Sequence, residues 1–299
     1  MSKKTAKGDA RRPFNHIFCV TIPRSGHHYF QNILSTYFGN ELYYCEALDG
    51  GGCCMRAPCA NSAGRLTLQK SHDPELAVPK TLKEALYVVQ YREPASQLLS
   101  YMDWTSERSI AGFQKNDAAF LEWWTALHAS KTIAFLKKWL DAAPKDAMPL
   151  EYTAFTADPA PHLRKLFERI GRPFDEARFD AVLESVAAIR APGVKKPKGE
   201  LEVYQPRDVT KSAILPEALV SAFDRVVRRN TPFIAWPASV IRGVPTAHFE
   251  DMVSIVSALN GLSGHNVTDD ELVSAENWDN RFVRKDLQRW QRRQAESRA

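Results

Sequence analysis

Residues 16–38 of this chain read HIFCVTIPRSGHHYFQNILSTYF. The run Ile17–Ile22 has no polar alternation, which predicts a strand buried on both faces of a parallel sheet. Pro23 ends that strand because it has no backbone N–H to donate to a neighbouring strand. After Gly26, apolar and aromatic residues recur at helical spacing. The stretch therefore predicts a strand, a tight turn and a helix that begins near His27.

The turn in this stretch predicts an anion-binding loop. A helix N-terminus exposes backbone N–H groups without intrahelical partners, together with the positive end of the helix dipole. The turn and the start of the helix contribute Arg24, Ser25, Gly26, His27 and His28. This combination is typical of a loop that holds phosphate or sulfate. It is not a Walker A loop, because the GxxxxGK[ST] spacing is missing.

A second stretch, residues 85–102, repeats the organisation as ALYVVQYREPASQLLSYM. Leu86–Tyr91 is a predicted strand, Arg92 ends it, and Pro94 suits the first turn of a helix. Ser100 follows Arg92 by eight residues, so a guanidinium at the strand end and a hydroxyl on the helix can hold one phosphate together. The sequence thus predicts two anion sites.

These segments resemble the sulfotransferases that use 3′-phosphoadenosine 5′-phosphosulfate (PAPS) as donor. PRSGHHYF, residues 23–30, is similar to their 5′-phosphosulfate loop, and YREPASQLLS, residues 91–100, to their 3′-phosphate motif. LQKSHDP, residues 68–74, resembles the Lys-Thr-His-Leu-Pro segment that carries their catalytic base. LEYTAFTADPAPHLRKLFERIG, residues 150–171, is similar to the segment whose tyrosine lies near the adenine. The four segments stand in family order and together span about half of the chain.

The resemblance implies roles for individual residues. The residues implied to hold the donor are Arg24, Ser25, Gly26, His27, His28, Arg92, Ser100 and Tyr152. His72 would be the general base for the acceptor hydroxyl, because an imidazole with an unperturbed pKa near 6.5 suits that task. Arg24 and Lys70 would stabilise the negative oxygens of the transferred group without a metal ion.

Some positions depart from the family pattern. The cytosolic members carry lysine where Arg24 stands and hydroxyl residues where His27 and His28 stand. Arginine can still hold a phosphate bidentately. The later Arg-Lys-Gly element of the family has only a loose counterpart in residues 195–199, which read KKPKG.

The implied fold is α/β, with a parallel central β-sheet flanked by helices on both faces in the P-loop-like sulfotransferase architecture. The length of 299 residues, with 44% hydrophobic and 25% charged residues, suits a globular chain with a full core. We predict a basic flexible tail at 1–12, an α/β domain at 13–240 and a helical C-terminal extension at 241–299. Residues 190–211 are rich in Lys, Pro and Gly and predict a long loop or lid.

The net charge of +5 comes from the ends of the chain. Residues 1–12 carry +4 and residues 281–299 carry +5, which leaves −4 on the 268 residues between them. We therefore expect no nucleic-acid partner for the body, while the basic C-terminal helix could contact an anionic partner. No apolar run reaches the roughly 18 residues that span a bilayer, and no hydrophobic region follows the charged start. We expect a soluble, cytoplasmic protein.

Four of the five cysteines crowd a Gly-rich stretch: Cys45, Cys53, Cys54 and Cys59. Disulfides are disfavoured in the cytoplasm. Four thiolates can form a structural zinc site, but the spacing does not match the common paired C-x₂-C arrangement. A reduced, partly buried loop is the default, and structural zinc is the alternative.

The acceptor is the least constrained part of the function. Trp104, in a predicted loop after the second helix, and the polar Gly/Cys loop favour a carbohydrate or glycolipid hydroxyl over a phenol. Asp73 either orients the His72 ring or caps the turn that follows. The main rival function is a non-catalytic protein that binds a nucleotide or a sulfated ligand, and a P-loop-type kinase is weaker because Walker A is absent.

Overall fold

The computed structural model describes residues 14–46, 56–73, 76, 78–82, 84–107, 118–189 and 214–241. The predicted basic tail, the 190–211 loop, the 195–199 element and the C-terminal extension lie outside the described residues. The domain boundaries that we place at 12 and 240 therefore stay predictions.

A parallel sheet of five strands forms the centre of the described part of the chain, in the order β2-β3-β1-β4-β5. The strands are β1 His16–Thr21, β2 Leu42–Glu46, β3 Leu66–Ser71, β4 Ala85–Tyr91 and β5 Met148–Glu151. Every pair of neighbouring strands runs parallel. The predicted α/β architecture is confirmed.

The described helices are α1 His27–Phe38, α2 Pro94–Glu107, α3 Ala118–Leu136, α4 Tyr152–Ala157, α5 Pro159–Arg169, α6 Glu176–Ile189 and α7 Glu217–Asn230. A π-helical turn, Lys137–Asp141, continues α3. Helix α3 and this turn together run from Ala118 to Asp141.

Helices cover both faces of the sheet because successive strand side chains point to opposite sides. Ile17 and Cys19 of β1 pack in one core with apolar residues of α1, α5 and α6. Phe18 and Val20 pack in the other core with residues of α2, α3 and α7. This two-sided burial explains why the β1 sequence is apolar without alternation.

The connections of the sheet create a crevice at the carboxyl ends of β1 and β4. β1 leads through α1 to β2 on one side of the sheet, whereas β4 leads through α2 and α3 to β5 on the other side. β1 and β4 are hydrogen-bonded neighbours whose chains depart in opposite directions. Open α/β sheets bind ligands at such a switch point. Both predicted anion motifs follow these two strands.

The local structure corrects and completes the sequence predictions. Trp104 belongs to α2, so its predicted place in a loop after the second helix is wrong, and its contact with an acceptor stays a prediction. Helix α5 starts at Pro159, and the side chain of Asp158 before it makes no capping hydrogen bond. The short helix α4 was not predicted, and its N-cap is Glu151, whose carboxylate accepts from the backbone N of Ala154 at 2.8 Å.

Among the described residues, no helix is long and apolar enough to cross a membrane. Cys19, Cys45 and Cys59 are buried. Cys53 and Cys54 lie outside the described part, and within it no cluster of three potential metal-binding side chains occurs.

Candidate functional site

The first anion loop is a tight turn fastened to β4. The backbone N of Ile22 donates to the carbonyl of Gln90 at 3.2 Å, which extends the pairing of β1 and β4 by one step. The backbone N of Ser25 donates to the carbonyl of Ile22 at 3.2 Å and closes the turn. Arg24 and Gly26 have left-handed backbones, with φ of 69° and 84°. The loop is therefore held in one conformation before any ligand arrives.

Gly26 is required at its position for two reasons. Its φ is costly for any residue with a Cβ. A Cβ there would also lie 2.5 Å from Cδ2 of Tyr152, well inside contact distance. Tyr152 begins α4, and its ring lies under the guanidinium of Arg92, with 4.2 Å from Cζ to the ring centroid. Tyr152 thus connects the two anion motifs.

The loop retains polar groups suited to an anion. Gly26 is the N-cap of α1, and no described side chain caps this helix. The start of the helix therefore directs the positive end of its dipole at the loop. The Ser25 hydroxyl is buried without a hydrogen-bond partner among the described residues. A buried unsatisfied hydroxyl is costly, so its retention fits a phosphate or sulfate oxygen as partner.

The second motif meets the first through its side chains. Arg24 Nε donates to Ser100 Oγ at 3.3 Å, although 76 residues separate them. Arg92 Nη1 donates to the carbonyl of Arg24 at 3.4 Å. Arg92 and Ser100 are both buried. The structure thus brings together Arg24, Ser25, Gly26, Arg92, Ser100 and Tyr152, as the resemblance implied.

His72 lies next to this cluster, directly after β3. Its Nδ1 is 2.9 Å from the carbonyl oxygen of Thr21, which can only accept. Nδ1 therefore carries the hydrogen, and Nε2 carries the lone pair of a base. Burial, and then the positive charge of Lys70, lower the pKa of His72 to about 3. The ring is neutral near pH 7.

Lys70 belongs to a polar network at the ends of β2 and β3. Its Nζ lies 3.7 Å from Oε1 of Glu46, the residue paired with it across the two strands. The same Glu46 oxygen accepts from the hydroxyl of Tyr44 at 2.8 Å. That hydroxyl lies 3.3 Å from Nε2 of His27. Glu46 thus holds the ammonium of Lys70 close to His72.

The side chain of His27 is a packing group. Its Nδ1 lies 3.1 Å from Oε1 of Gln90, and its ring stacks on Tyr44. Burial, and next the charges of Lys70 and His28, lower the pKa of His27 well below the usual 6.5. His27 therefore has only its backbone N–H to offer to an anion. The ring of His28 lies at 83° to the ring of His27, with the centroids 6.2 Å apart.

Asp73 does not orient His72. Its carboxylate accepts from Lys138 Nζ at 2.6 Å, from Trp139 Nε1 at 2.7 Å and from the backbone N of Val78 at 2.7 Å. Of the two roles open in the sequence, the structure favours the cap of the following turn. The buried ion pair also ties the segment after β3 to the π-helical turn after α3.

No protein-family model and no curated protein sequence matches this chain. Among solved structures, it is similar to the mouse sulfotransferase SULT7A1 complexed with PAP, with a TM-score of 0.50 and 14% identity over 83% of this chain and 84% of that one. The chain has the fold of the PAPS-dependent sulfotransferases. Sulfotransferase domains of the Synechococcus PCC 7002 olefin synthase and of the curacin biosynthetic pathway match at 14% identity, with TM-scores of 0.39 and 0.37. They cover 86% and 84% of this chain and 98% of each domain.

The sulfotransferase fold accounts for the clustering of motifs that are distant in sequence. Three sheet neighbours, β3, β1 and β4, end at the same edge and deliver His72, the first loop and Arg92. Sequence reasoning missed Glu46 and Tyr44, whose contacts depend on the pairing of β2 with β3. Their one signal in the sequence is the pair of polar residues, Tyr44 and Glu46, on the short stretch LYYCE that forms β2.

Proposed function

We propose that the protein is a PAPS-dependent sulfotransferase that moves a sulfuryl group to an acceptor hydroxyl. The observation that carries the proposal is the hydrogen bond from Arg24 to Ser100, which joins the two anion motifs at the switch point next to His72. The Gly/Cys-rich sequence between β2 and β3 favours a carbohydrate or glycolipid acceptor.

The proposed donor site has two parts. Ser25 and the first backbone N–H groups of α1 hold the 5′-phosphosulfate end, because they combine an unsatisfied hydroxyl with the positive end of a helix. Arg92 and Ser100 hold the 3′-phosphate. Tyr152 supports both parts, since its ring contacts Gly26 and Arg92.

The proposed chemistry is in-line transfer. When bound, PAPS supplies the sulfuryl group, whose bond to the 5′-phosphate oxygen breaks as the bond to the acceptor oxygen forms. His72 Nε2 takes the acceptor proton, because the Thr21 carbonyl holds the hydrogen on Nδ1. Arg24 and Lys70 provide positive charge where negative charge develops.

The low pKa of His72 has a consequence for the pH profile. The ligand-free enzyme keeps this base neutral until the pH falls far below 6.5. An anion bound near Lys70 offsets the ammonium charge and raises the pKa of His72 from its value of about 3. We expect the acidic limb of kcat/KM, which reports the free enzyme, far below pH 6.5, because the pKa of His72 in the ligand-free protein is about 3.

Removal of the His72 imidazole tests this assignment. His72→Ala should lower turnover about 10²- to 10⁴-fold, the usual range for a positioned general base, and should abolish the acidic limb. Affinity for adenosine 3′,5′-bisphosphate should stay within a few-fold, because the donor residues are intact. Lys70→Ala is the matched control: it should slow turnover but keep an acidic limb. The assay is transfer of labelled sulfate to a panel of carbohydrate, glycolipid and phenol acceptors.

The same experiment separates the alternatives. Near-normal turnover of His72→Ala would contradict the base assignment and direct attention to the Glu46 carboxylate. Tight bisphosphate binding by wild type without transfer to any acceptor would support a non-catalytic nucleotide- or sulfated-ligand-binding protein. Magnesium-dependent phosphoryl transfer would support a kinase.

A further inference from the structure

Gln97 connects the first anion loop to α3. It lies in the first turns of α2 and is almost completely buried. Its Nε2 donates to the carbonyl oxygen of Pro23 at 2.9 Å. Its Oε1 lies 3.0 Å from Nε2 of His128. Because an amide oxygen only accepts, His128 Nε2 carries the hydrogen and donates to Gln97.

Three aromatic rings fix the plane of the His128 imidazole. Tyr101 and Trp124 lie nearly parallel to it, with centroid distances of 4.9 and 5.4 Å and interplanar angles of 6° and 2°. Phe223 of α7 stacks at 5.7 Å and 18°. A ring held in this way directs its N–H along one line. The Gln97 amide is therefore oriented by groups from α2, α3 and α7.

The carbonyl that Gln97 holds is placed where the loop turns. Pro23 has no backbone N–H, so its carbonyl is its one backbone hydrogen-bonding group. The next residue, Arg24, has the left-handed φ of 69°. Three residues beyond Gln97 on α2, Ser100 accepts from the guanidinium of Arg24. One face of α2 thus restrains Arg24 at two points. Gln97 bonds the carbonyl of the preceding Pro23, and Ser100 bonds the Arg24 side chain.

We propose that Gln97 and His128 are positioning residues that hold the Pro23–Arg24 peptide in the donor-binding conformation. Neither residue belongs to the donor site itself. The proposal rests on the proposed function for its effect on nucleotide affinity, but its effect on the loop is independent of any ligand. Loss of the connection should loosen Arg24 and weaken the 5′-phosphosulfate end of the site.

Two substitutions at Gln97 test its hydrogen bonds to Pro23 and His128: one removes the polar amide, and the other replaces it with a carboxylate. Gln97→Leu removes both hydrogen bonds at similar volume and should weaken adenosine 3′,5′-bisphosphate binding about tenfold, the range for a buried hydrogen bond and its orphaned partner. Gln97→Glu keeps the acceptor for His128 but sets a carboxylate against the Pro23 carbonyl, and it should weaken binding at least as much. The KM for the donor should rise, whereas the KM for the acceptor should not change.

Substitutions at His128 separate positioning from packing. A glutamine amide replaces Nε2–H, so His128→Gln should keep most of the affinity, whereas His128→Leu should lose about as much as Gln97→Leu. Both variants lose the stacked ring. Phe223→Leu is the packing control: it should lower Tm but change bisphosphate affinity much less than His128→Leu, because Tyr101 and Trp124 still stack on the imidazole.

A ligand-free measurement completes the test. The NMR signals of the Ser25 and Gly26 amides should shift in Gln97→Leu and His128→Leu by much more than in Phe223→Leu. Wild-type affinity and unmoved amides in Gln97→Leu would overturn the positioning role. A wild-type protein that does not bind the bisphosphate, with amides that still shift in Gln97→Leu, would overturn the proposed function but leave the positioning role supported.

Discussion

The two strand-turn-helix motifs, after β1 and after β4, look alike in sequence but use their helix starts differently. The first helix, α1, has Gly26 as its N-cap, and no described side chain caps it. The second helix, α2, is preceded by Glu93, whose carboxylate accepts from the backbone N of Ser96 at 2.7 Å and of Ala95 at 3.4 Å. The start of α1 thus has no side-chain cap among the described residues, while the backbone amides of Ala95 and Ser96 in α2 are bound to the Glu93 carboxylate.

The second motif is also stabilised from α7. Arg228 Nη2 donates to Glu93 at 2.7 Å, and its Nε donates to Asp224 at 2.8 Å. Burial raises the pKa of Asp224 to about 6, against the opposing effect of its bond to Arg228. In the proposed donor site, the first motif therefore contributes backbone amides and the Ser25 hydroxyl, whereas the second contributes the side chains of Arg92 and Ser100.

Gly26→Ala should have the largest effect on the first motif. The new Cβ meets the Tyr152 ring and needs an unfavourable φ, so the loop has to move. We expect bisphosphate affinity to fall more than 100-fold and stability to fall by about 1–3 kcal/mol. Calorimetric titration and urea unfolding measure the two effects. Affinity near that of wild type would show that the loop backbone is not the binding element.

Arg92→Ala should have the next largest effect, and it should be selective. We expect a roughly 100-fold loss of affinity for adenosine 3′,5′-bisphosphate, because a charge-assisted contact is lost, with little change for AMP. Arg92→Lys keeps the charge without the guanidinium geometry and should lose less. Equal losses for both nucleotides would remove the 3′-phosphate role of the second motif.

Ser25→Ala should separate binding from stability. Its hydroxyl has no described partner in the folded protein, so stability should stay unchanged or rise slightly. Bisphosphate affinity should fall about tenfold. A marked loss of Tm in the ligand-free protein would mean that the hydroxyl serves the fold.

Glu93→Gln should show the opposite behaviour. It removes the charge that caps α2 and pairs with Arg228, so stability should fall by about 1–3 kcal/mol. Bisphosphate affinity should stay within a few-fold, because the α2 amides do not bind the ligand. If affinity falls more than stability accounts for, the two helix starts are more alike than their caps indicate.

Local signals predicted the centre of this molecule well. The apolar runs predicted β1 and β4, and the turn residues predicted the helix starts after them, since these features depend on neighbours in sequence. The pairing of Glu46 with Lys70 depends on β2 lying beside β3, and the pair of Asp73 with Lys138 spans 65 residues. Such contacts follow from sheet order and helix packing, which no local pattern contains.

The same limit explains the wrong prediction for Trp104. This residue lies in the stretch DWTSERS, which looks like a loop, yet α2 continues through Glu107. The sulfotransferase resemblance pointed to more of the candidate site residues than helix and strand propensities did, because it compares segments from distant parts of the chain.

The most direct test of the account is a calorimetric titration of the wild-type protein with adenosine 3′,5′-bisphosphate and with AMP under the same conditions. If the first motif holds the 5′-phosphate and the second holds the 3′-phosphate, the bisphosphate should bind about 100-fold more tightly than AMP, because it gains the charge-assisted contact with Arg92. Equal affinity for the two nucleotides, or no binding of either, would contradict the claim that the two motifs form one donor site.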